Sequence, residues 1–223
     1  MNRITNKLLV AAVLFLACAC GNKKEQTTET TKVEAFPQLF TKSSNVGNPA
    51  IQGSFEYDNE NGIYTIKGGG ENIWGESDQF FFAYEEMDGD FSLSTKLEFA
   101  PAKEGSNIHR KAGIMIRESL EGNSAYADIT VHYGDGLTSL QYRSVTGGGS
   151  DEVKTEILSG NYMTLERKGN KIIAKVGNDR FSDTIDAEIE LALSAKCFVG
   201  FFINSHNVAI EETAFFSDVK LIK

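Results

Sequence analysis

Beyond residue 35 the chain is a succession of short runs in which apolar and polar residues alternate with a period of two. That period puts successive side chains on opposite faces of a strand. Such runs, or runs rich in β-branched and aromatic residues, are Ser54–Tyr57, Ile63–Lys67, Gln79–Glu86, Phe91–Phe99, Ala112–Glu118 and Ala125–Tyr133. They continue with Thr138–Val145, Tyr162–Arg167, Lys171–Val176, Cys197–Asn204 and Phe215–Ile222. Turn residues separate them: Asn61-Gly62, Asp88-Gly89, Glu121-Gly122-Asn123, Gly134-Asp135-Gly136 and Lys168-Gly169-Asn170. Many short strands at near-regular spacing predict an all-β antiparallel sandwich or barrel. Helical periodicity is confined to about one turn near Ile185–Leu193. The strings Gly68–Gly70 and Gly147–Gly149 lack the Lys-Ser/Thr and helix of a phosphate loop, and read as loops.

The alternation also sorts faces. Ala112, Ile114 and Ile116 share one face, and Met115 and Arg117 the other. In the next run Ala125, Ala127, Ile129 and Val131 oppose Tyr126, Asp128, Thr130 and His132. In the third, Leu140 and Tyr142 oppose Ser139, Gln141 and Arg143. Short turns join the three runs, which makes them antiparallel neighbours. Their polar sides then form one patch of Arg117, Tyr126, Asp128, His132, Gln141 and Arg143. Planar charged and amide groups suit sugar hydroxyls, and an aromatic ring suits the C–H face of a pyranose. The two arginines also suit a carboxylate or sulfate, and so an acidic glycan. The other reading is a solvated face on which Asp128 pairs with Arg117 or Arg143 across strands.

The first 35 residues have a different character. Arg3 and Lys7 precede an apolar run, Leu8–Ala17, too short for the about 20 residues of a membrane span. Small residues and cysteine follow in Ala17-Cys18-Ala19-Cys20-Gly21, the form of an export signal of lipoprotein type. The expectation is a signal peptide over 1–19 and an acylated Cys20, with Cys18 the alternative, tethering the protein to a lipid bilayer. Residues 20–35 are polar and without aromatics, and such a segment of about 15 residues reaches on the order of 20 Å. A single domain over 36–223 follows. Without Arg3 and Lys7 the chain has 20 basic and 31 acidic residues, about −11. That charge argues against nucleic acid as a partner. Cys197, in an apolar run, reads as a buried thiol, since a single cysteine makes no internal disulfide.

Four segments of the domain resemble the DUF1349 domains of the concanavalin A-like lectin/glucanase superfamily. They are Gly70–Phe80 running on to Gly89-Asp90, Lys111–Arg117, Leu140–Arg143, and Val199 to Asn207 closing with Ala214–Val219. They occur in the family's order across most of 52–223. Asn72 and Tyr162 depart from the usual Asp and Trp, which weakens any inference of a metal at Asn72. The resemblance implies a jelly-roll sandwich of two curved antiparallel sheets, in a superfamily several of whose members bind glycans on the concave sheet.

Other residues offer less. Trp74, the sole tryptophan, is either a core plug or a stacking platform, and His206, after a strand, reads as making a structural hydrogen bond, with a place lining the patch edge as the alternative. His109, His132 and His206 lack metal-ligand spacing, so no metal site is expected from them. Asp58, Asn59 and Glu60, or Asp88 and Asp90, could hold a structural calcium ion, though turns favour these residues anyway. No cofactor is expected. The glycosidase string Glu-x-Asp-x-x-Glu has its nearest counterpart in Glu86–Phe91, where the third carboxylate is missing and Asp88-Gly89 reads as a turn. Glycoside hydrolysis needs two flanking carboxyl groups, and the patch offers one. No catalytic residue is therefore assigned. The reading ranks a non-catalytic glycan-binding module of the cell envelope first, lipid-anchored at the outer membrane and facing the periplasm or the exterior. A structural or protein-interaction lipoprotein comes second, and a glycan-acting hydrolase third.

Overall fold

The computed structural model describes residues 36–223, so the export signal, Cys18, Cys20 and the tether lie outside the described residues. No segment among the described residues is helical. The strands are β1 (Lys42–Val46), β2 (Ser54–Asp58), β3 (Ile63–Gly68), β4 (Ile73–Trp74), β5 (Ser77–Asp78), β6 (Phe80–Asp88), β7 (Phe91–Phe99) and β8 (Lys111–Arg117). They continue as β9 (Tyr126–His132), β10 (Thr138–Arg143), β11 (Ser150–Lys154), β12 (Tyr162–Lys168), β13 (Lys171–Gly177), β14 (Ala187–Glu190), β15 (Lys196–Asn204) and β16 (Glu212–Ile222). One seven-stranded sheet runs β1-β6-β15-β8-β9-β10-β11 and the other β14-β13-β12-β7-β16-β3-β2, with β4 and β5 forming a separate hairpin.

All pairings are antiparallel, and β8, β9 and β10 are neighbours as their spacing predicts. The faces sort as the alternation requires: Ala112, Ile114, Ile116, Ala125, Ala127, Ile129, Val131 and Leu140 all enter the core between the sheets. Phe201 of the first sheet stacks on Phe216 of the second at 4.3 Å between ring centroids, and Phe40 meets Phe201 edge-on at 4.9 Å. Fully burying one such ring contributes about 1.5–3 kcal/mol.

The turn of helix expected near Ile185–Leu193 is instead strand β14, paired with β13. Ala187, Ile189, Leu191 and Leu193 are buried while Glu188 and Glu190 are exposed, a period of two. Two edge strands carry too little apolar content to be seen in the sequence: β1, KSSNV, and β11, SDEVK. Polar edge strands of this kind discourage pairing with other chains.

Candidate functional site

The outer face of the first sheet is not uniformly polar. Phe80, Phe82, Tyr84, Met115, Tyr126 and Phe202 form a second apolar cluster there, with Val46 and Ile73. Ile73 arrives on the β4–β5 hairpin, so this hairpin lies as a flap over part of the face. The flap is tied down by backbone: Asp78 N–H donates to the Gly122 carbonyl at 2.8 Å and Gln79 N–H to Asn72 at 2.7 Å.

Charge holds it as well. The Arg143 guanidinium grips the Asp78 carboxylate at 2.6 and 2.9 Å and donates through Nε to the Gly75 carbonyl at 3.0 Å. Arg117 stands 3.5 Å from the other side of Asp78 and donates to the Ser119 and Glu121 carbonyls. Lys111 Nζ donates to the Ile73 carbonyl at 2.8 Å and to Gln141 Oε1 at 2.9 Å. Burial lowers Arg117 to about 10 and Lys111 to about 8, against the pull of neighbouring carboxylates.

The six residues of the sequence-derived patch thus do share one face of adjacent strands, but most of them are covered. Arg117, Tyr126, Asp128 and Arg143 are completely buried, so none presents a side chain to a solute. The expectation that an arginine pairs with Asp128 on a solvated face is corrected: the partner is Asp78, 65 residues from Arg143 in the chain and brought in by the flap. Asp128 is left with both carboxylate oxygens buried and without a hydrogen-bond partner. Burial raises its carboxyl well above the usual range, against the opposing pull of Lys111.

What remains open lies beyond the flap's edge. A depression of about 230 Å³ is lined by Asn72, Trp74, His109, Lys111, His132, Leu137, Gln141, Glu152 and His206. A second, of about 640 Å³, is lined by Glu71, Asn72, Trp74, Ser77, Gln79, His206, Asn207 and Val208. Asn72, Trp74 and His206 belong to both. Trp74 is 39% exposed, which resolves its two readings against the core plug. His132 and Gln141 are the patch residues that reach this wall. His206 lines both depressions, on a backbone with φ of 53° and with its N–H bonded to Asn204 Oδ1.

Among the lining residues, Lys111 and Glu152 were not sequence candidates, and Asn72 and His109 were weighed there only for a metal. Lys111 begins β8 on the same face as Met115 and Arg117, so the alternation could have found it. Glu152 sits on β11, opposite Gln141 in register. His109 precedes the strand, yet the ladder runs on past its end, because Tyr133 N–H donates to the Arg110 carbonyl and Gly134 N–H to the Ile108 carbonyl. This brings His109 beside His132, with ring centroids 5.5 Å apart, and His206 lies 5.8 Å from His109. All three histidines of the chain therefore meet at one depression. Burial, aided by the Lys111 charge, lowers His132 to about 4 and also lowers His206.

The remaining candidates have structural surroundings. Asp58 Oδ1 accepts the Glu60 and Asn61 N–H groups and Oδ2 the Asn61 amide, so this carboxylate builds its turn. Asp90 accepts the Gly169 N–H at 2.7 Å. Asp88-Gly89 is the β6–β7 turn, with Gly89 at φ of 73°, and Glu86 pairs with Lys42 and Lys196. Cys197 is buried, its thiol raised chiefly by burial and bonded to the Ser194 carbonyl at 3.1 Å.

No protein-family model matches the chain, and no curated protein sequence does. Solved structures do match its fold. A functionally unknown protein from Saccharomyces cerevisiae aligns with a TM-score of 0.54 at 18% identity, over 78% of this chain and 98% of the other. The carbohydrate-binding module CBM66 from Bacillus subtilis aligns with a TM-score of 0.53 at 13% identity, over 84% and 99%. The lectin UEA-II, solved with galactose, aligns with a TM-score of 0.50 at 9% identity, over 85% and 95%. At these identities the likeness is one of architecture, and with the two packed antiparallel sheets it makes the domain a jelly-roll β-sandwich.

Proposed function

We propose that this chain is a non-catalytic carbohydrate-binding module, held at the cell envelope by an acylated Cys20 and the polar segment after it. Trp74 carries this reading: an exposed indole standing between two depressions whose walls are amide, imidazole, ammonium and carboxylate groups. An aromatic plane beside planar hydrogen-bonding groups is the arrangement a pyranose needs. The fold shared with a carbohydrate-binding module and a lectin supports the reading without fixing it. Within the superfamily, the strings around Gly70–Phe80 and Lys111–Arg117 favour the DUF1349 group. The burial of Arg117 and Arg143 removes the charges that pointed to an acidic glycan, and Lys111, also buried and bonded to Ile73 and Gln141, supplies no exposed replacement.

Because Trp74 is the sole tryptophan, its fluorescence reports the site directly. The test is a screen of the full chain on polysaccharides and oligosaccharides, followed by fluorescence titration of the hits. Saturable quenching or a spectral shift is expected, with no cleavage products. An absence of hits, or binding that leaves Trp74 emission unchanged, overturns the site. Release of shorter oligosaccharides overturns the non-catalytic part. For the anchor, Cys20→Ala should move the protein from the membrane to the soluble fraction. If Cys18→Ala does so and Cys20→Ala does not, the acylated residue is Cys18.

A further inference from the structure

Asp135, in the β9–β10 turn, stands between two histidines. Its Oδ2 is 3.3 Å from His109 Nδ1 and its Oδ1 is 3.5 Å from His132 Nδ1. Both separations exceed the usual N–H···O distance of about 2.9–3.0 Å. Among the described residues this is the one cluster of at least three such groups whose ligand atoms all lie within 4.8 Å of one another. We infer that His109, His132 and Asp135 bind a divalent transition-metal ion of the Zn²⁺ class.

A second observation points the same way. Both ring nitrogens of His132 are buried, and neither has a hydrogen-bond partner. Buried polar atoms are rarely left so, and an ion at Nδ1 satisfies one of them. Asp135 is already oriented, since its Oδ1 accepts the Leu137 N–H at 3.0 Å, as the outer partners of metal ligands commonly arrange. Two imidazoles and one carboxylate favour Zn²⁺ and its neighbours over Ca²⁺ and Mg²⁺, which take oxygen ligands. Three protein ligands leave a position for water or a ligand's oxygen. His109 and His132 both line the smaller Trp74 depression, so that position adjoins it. The Lys111 ammonium opposes the ion, and Asp135 offsets it.

The inference stands apart from glycan binding and is tested apart from it. Untagged full chain, stripped with chelator, is titrated with Co²⁺ alone, read by its visible d–d absorption, and then competed with Zn²⁺. Saturable one-to-one bands that Zn²⁺ abolishes are expected. Asp135→Asn keeps an oxygen for the Leu137 N–H and loses the charge; His109→Ala removes a side chain that is 43% exposed. Each should weaken Co²⁺ binding by at least about tenfold with an unchanged circular dichroism spectrum. Trp74→Ala should leave Co²⁺ binding intact. The inference is overturned if neither ion binds, if only Ca²⁺ binds, or if both ligand variants bind Co²⁺ like the unaltered chain.

Discussion

Arg143 and Asp78 form a two-pronged ion pair with no solvent exposure on either side chain, joining the sheet to the flap that covers it. A pair of this kind costs much to desolvate, and its geometry and added hydrogen bonds offset that cost. Removing Arg143 leaves the buried Asp78 carboxylate without its two close hydrogen bonds and with only Arg117, at 3.5 Å, for a partner. Arg143→Ala is therefore expected to destabilise the domain by about 3–5 kcal/mol. In a domain of this size that is a fall in Tm on the order of 10 °C. Denaturant unfolding measures it. A change below about 1 kcal/mol, as for an exposed pair, would mean that the flap is not held this way.

Asp128 offers the opposite prediction. Burial raises its carboxyl well above the ordinary range, and both oxygens lack partners. The unfolded chain loses this proton near the usual aspartate pKa, while the folded chain retains it to higher pH. The unfolded state thus binds fewer protons in between, and this group lowers stability as pH rises through that interval. Asp128→Asn, close in shape and without a proton to lose, should be at least as stable as the unaltered chain at pH 7. Its advantage should shrink toward pH 4. Unfolding curves across that range check it, and a variant that is less stable at pH 7 would show Asp128 to be ionised and held by Lys111.

How far these features were legible in the sequence follows from their range along the chain. Period-two alternation is local, so the face of Arg117, Asp128, His132 and Arg143 could be sorted from the strands alone. Whether that face meets solvent depends on the segment from Gly69 to Gln79, whose strands have two residues each and no period to detect. The apolar half of the same face was present as Phe80, Phe82, Met115 and Phe202, but its cover, Ile73, lies in a loop-like string. The histidine cluster was hidden for a similar reason. His109 lies outside β8, and only the continuation of the ladder beyond the strand's end sets it beside His132.

Gly113 explains a glycine inside a strand. A Cβ there would lie 1.9 Å from the Ile129 carbonyl oxygen on β9, a contact that backbone cannot relieve by rotation. Its neighbours Ala112 and Ile114 point into the core, so the strand has little room to shift. Gly113→Ala should cost more than the about 1 kcal/mol scale of strand propensities, despite alanine's smaller entropy loss on folding. A thermal melt decides it: a variant as stable as the unaltered chain would mean that β8 and β9 are less closely apposed.

Trp74→Ala separates binding from folding. The indole is 39% exposed and sits on a hairpin whose attachments are made by others: Asp78 to Arg143 and Arg117, Ile73 through its carbonyl to Lys111, and Gly75 to Arg143 and Ser150. None of these bonds uses the Trp74 side chain. Its loss should therefore change stability by no more than about 1 kcal/mol, toward the surface end of single-substitution effects. The same ring lines both depressions, so a bound sugar that stacks on it loses that contact entirely. Aromatic contacts contribute about 0.5–1.5 kcal/mol beyond the area they bury, and with that area the expected weakening is about tenfold or more. Trp74→Phe keeps a smaller plane and should recover part of it. The variant removes the sole fluorophore of its type, so calorimetry on a glycan identified by the screen is the measurement. Unaltered affinity in Trp74→Ala, with Tm also unaltered, would move the binding surface elsewhere on the domain. A large fall in Tm would mean that the indole holds the flap.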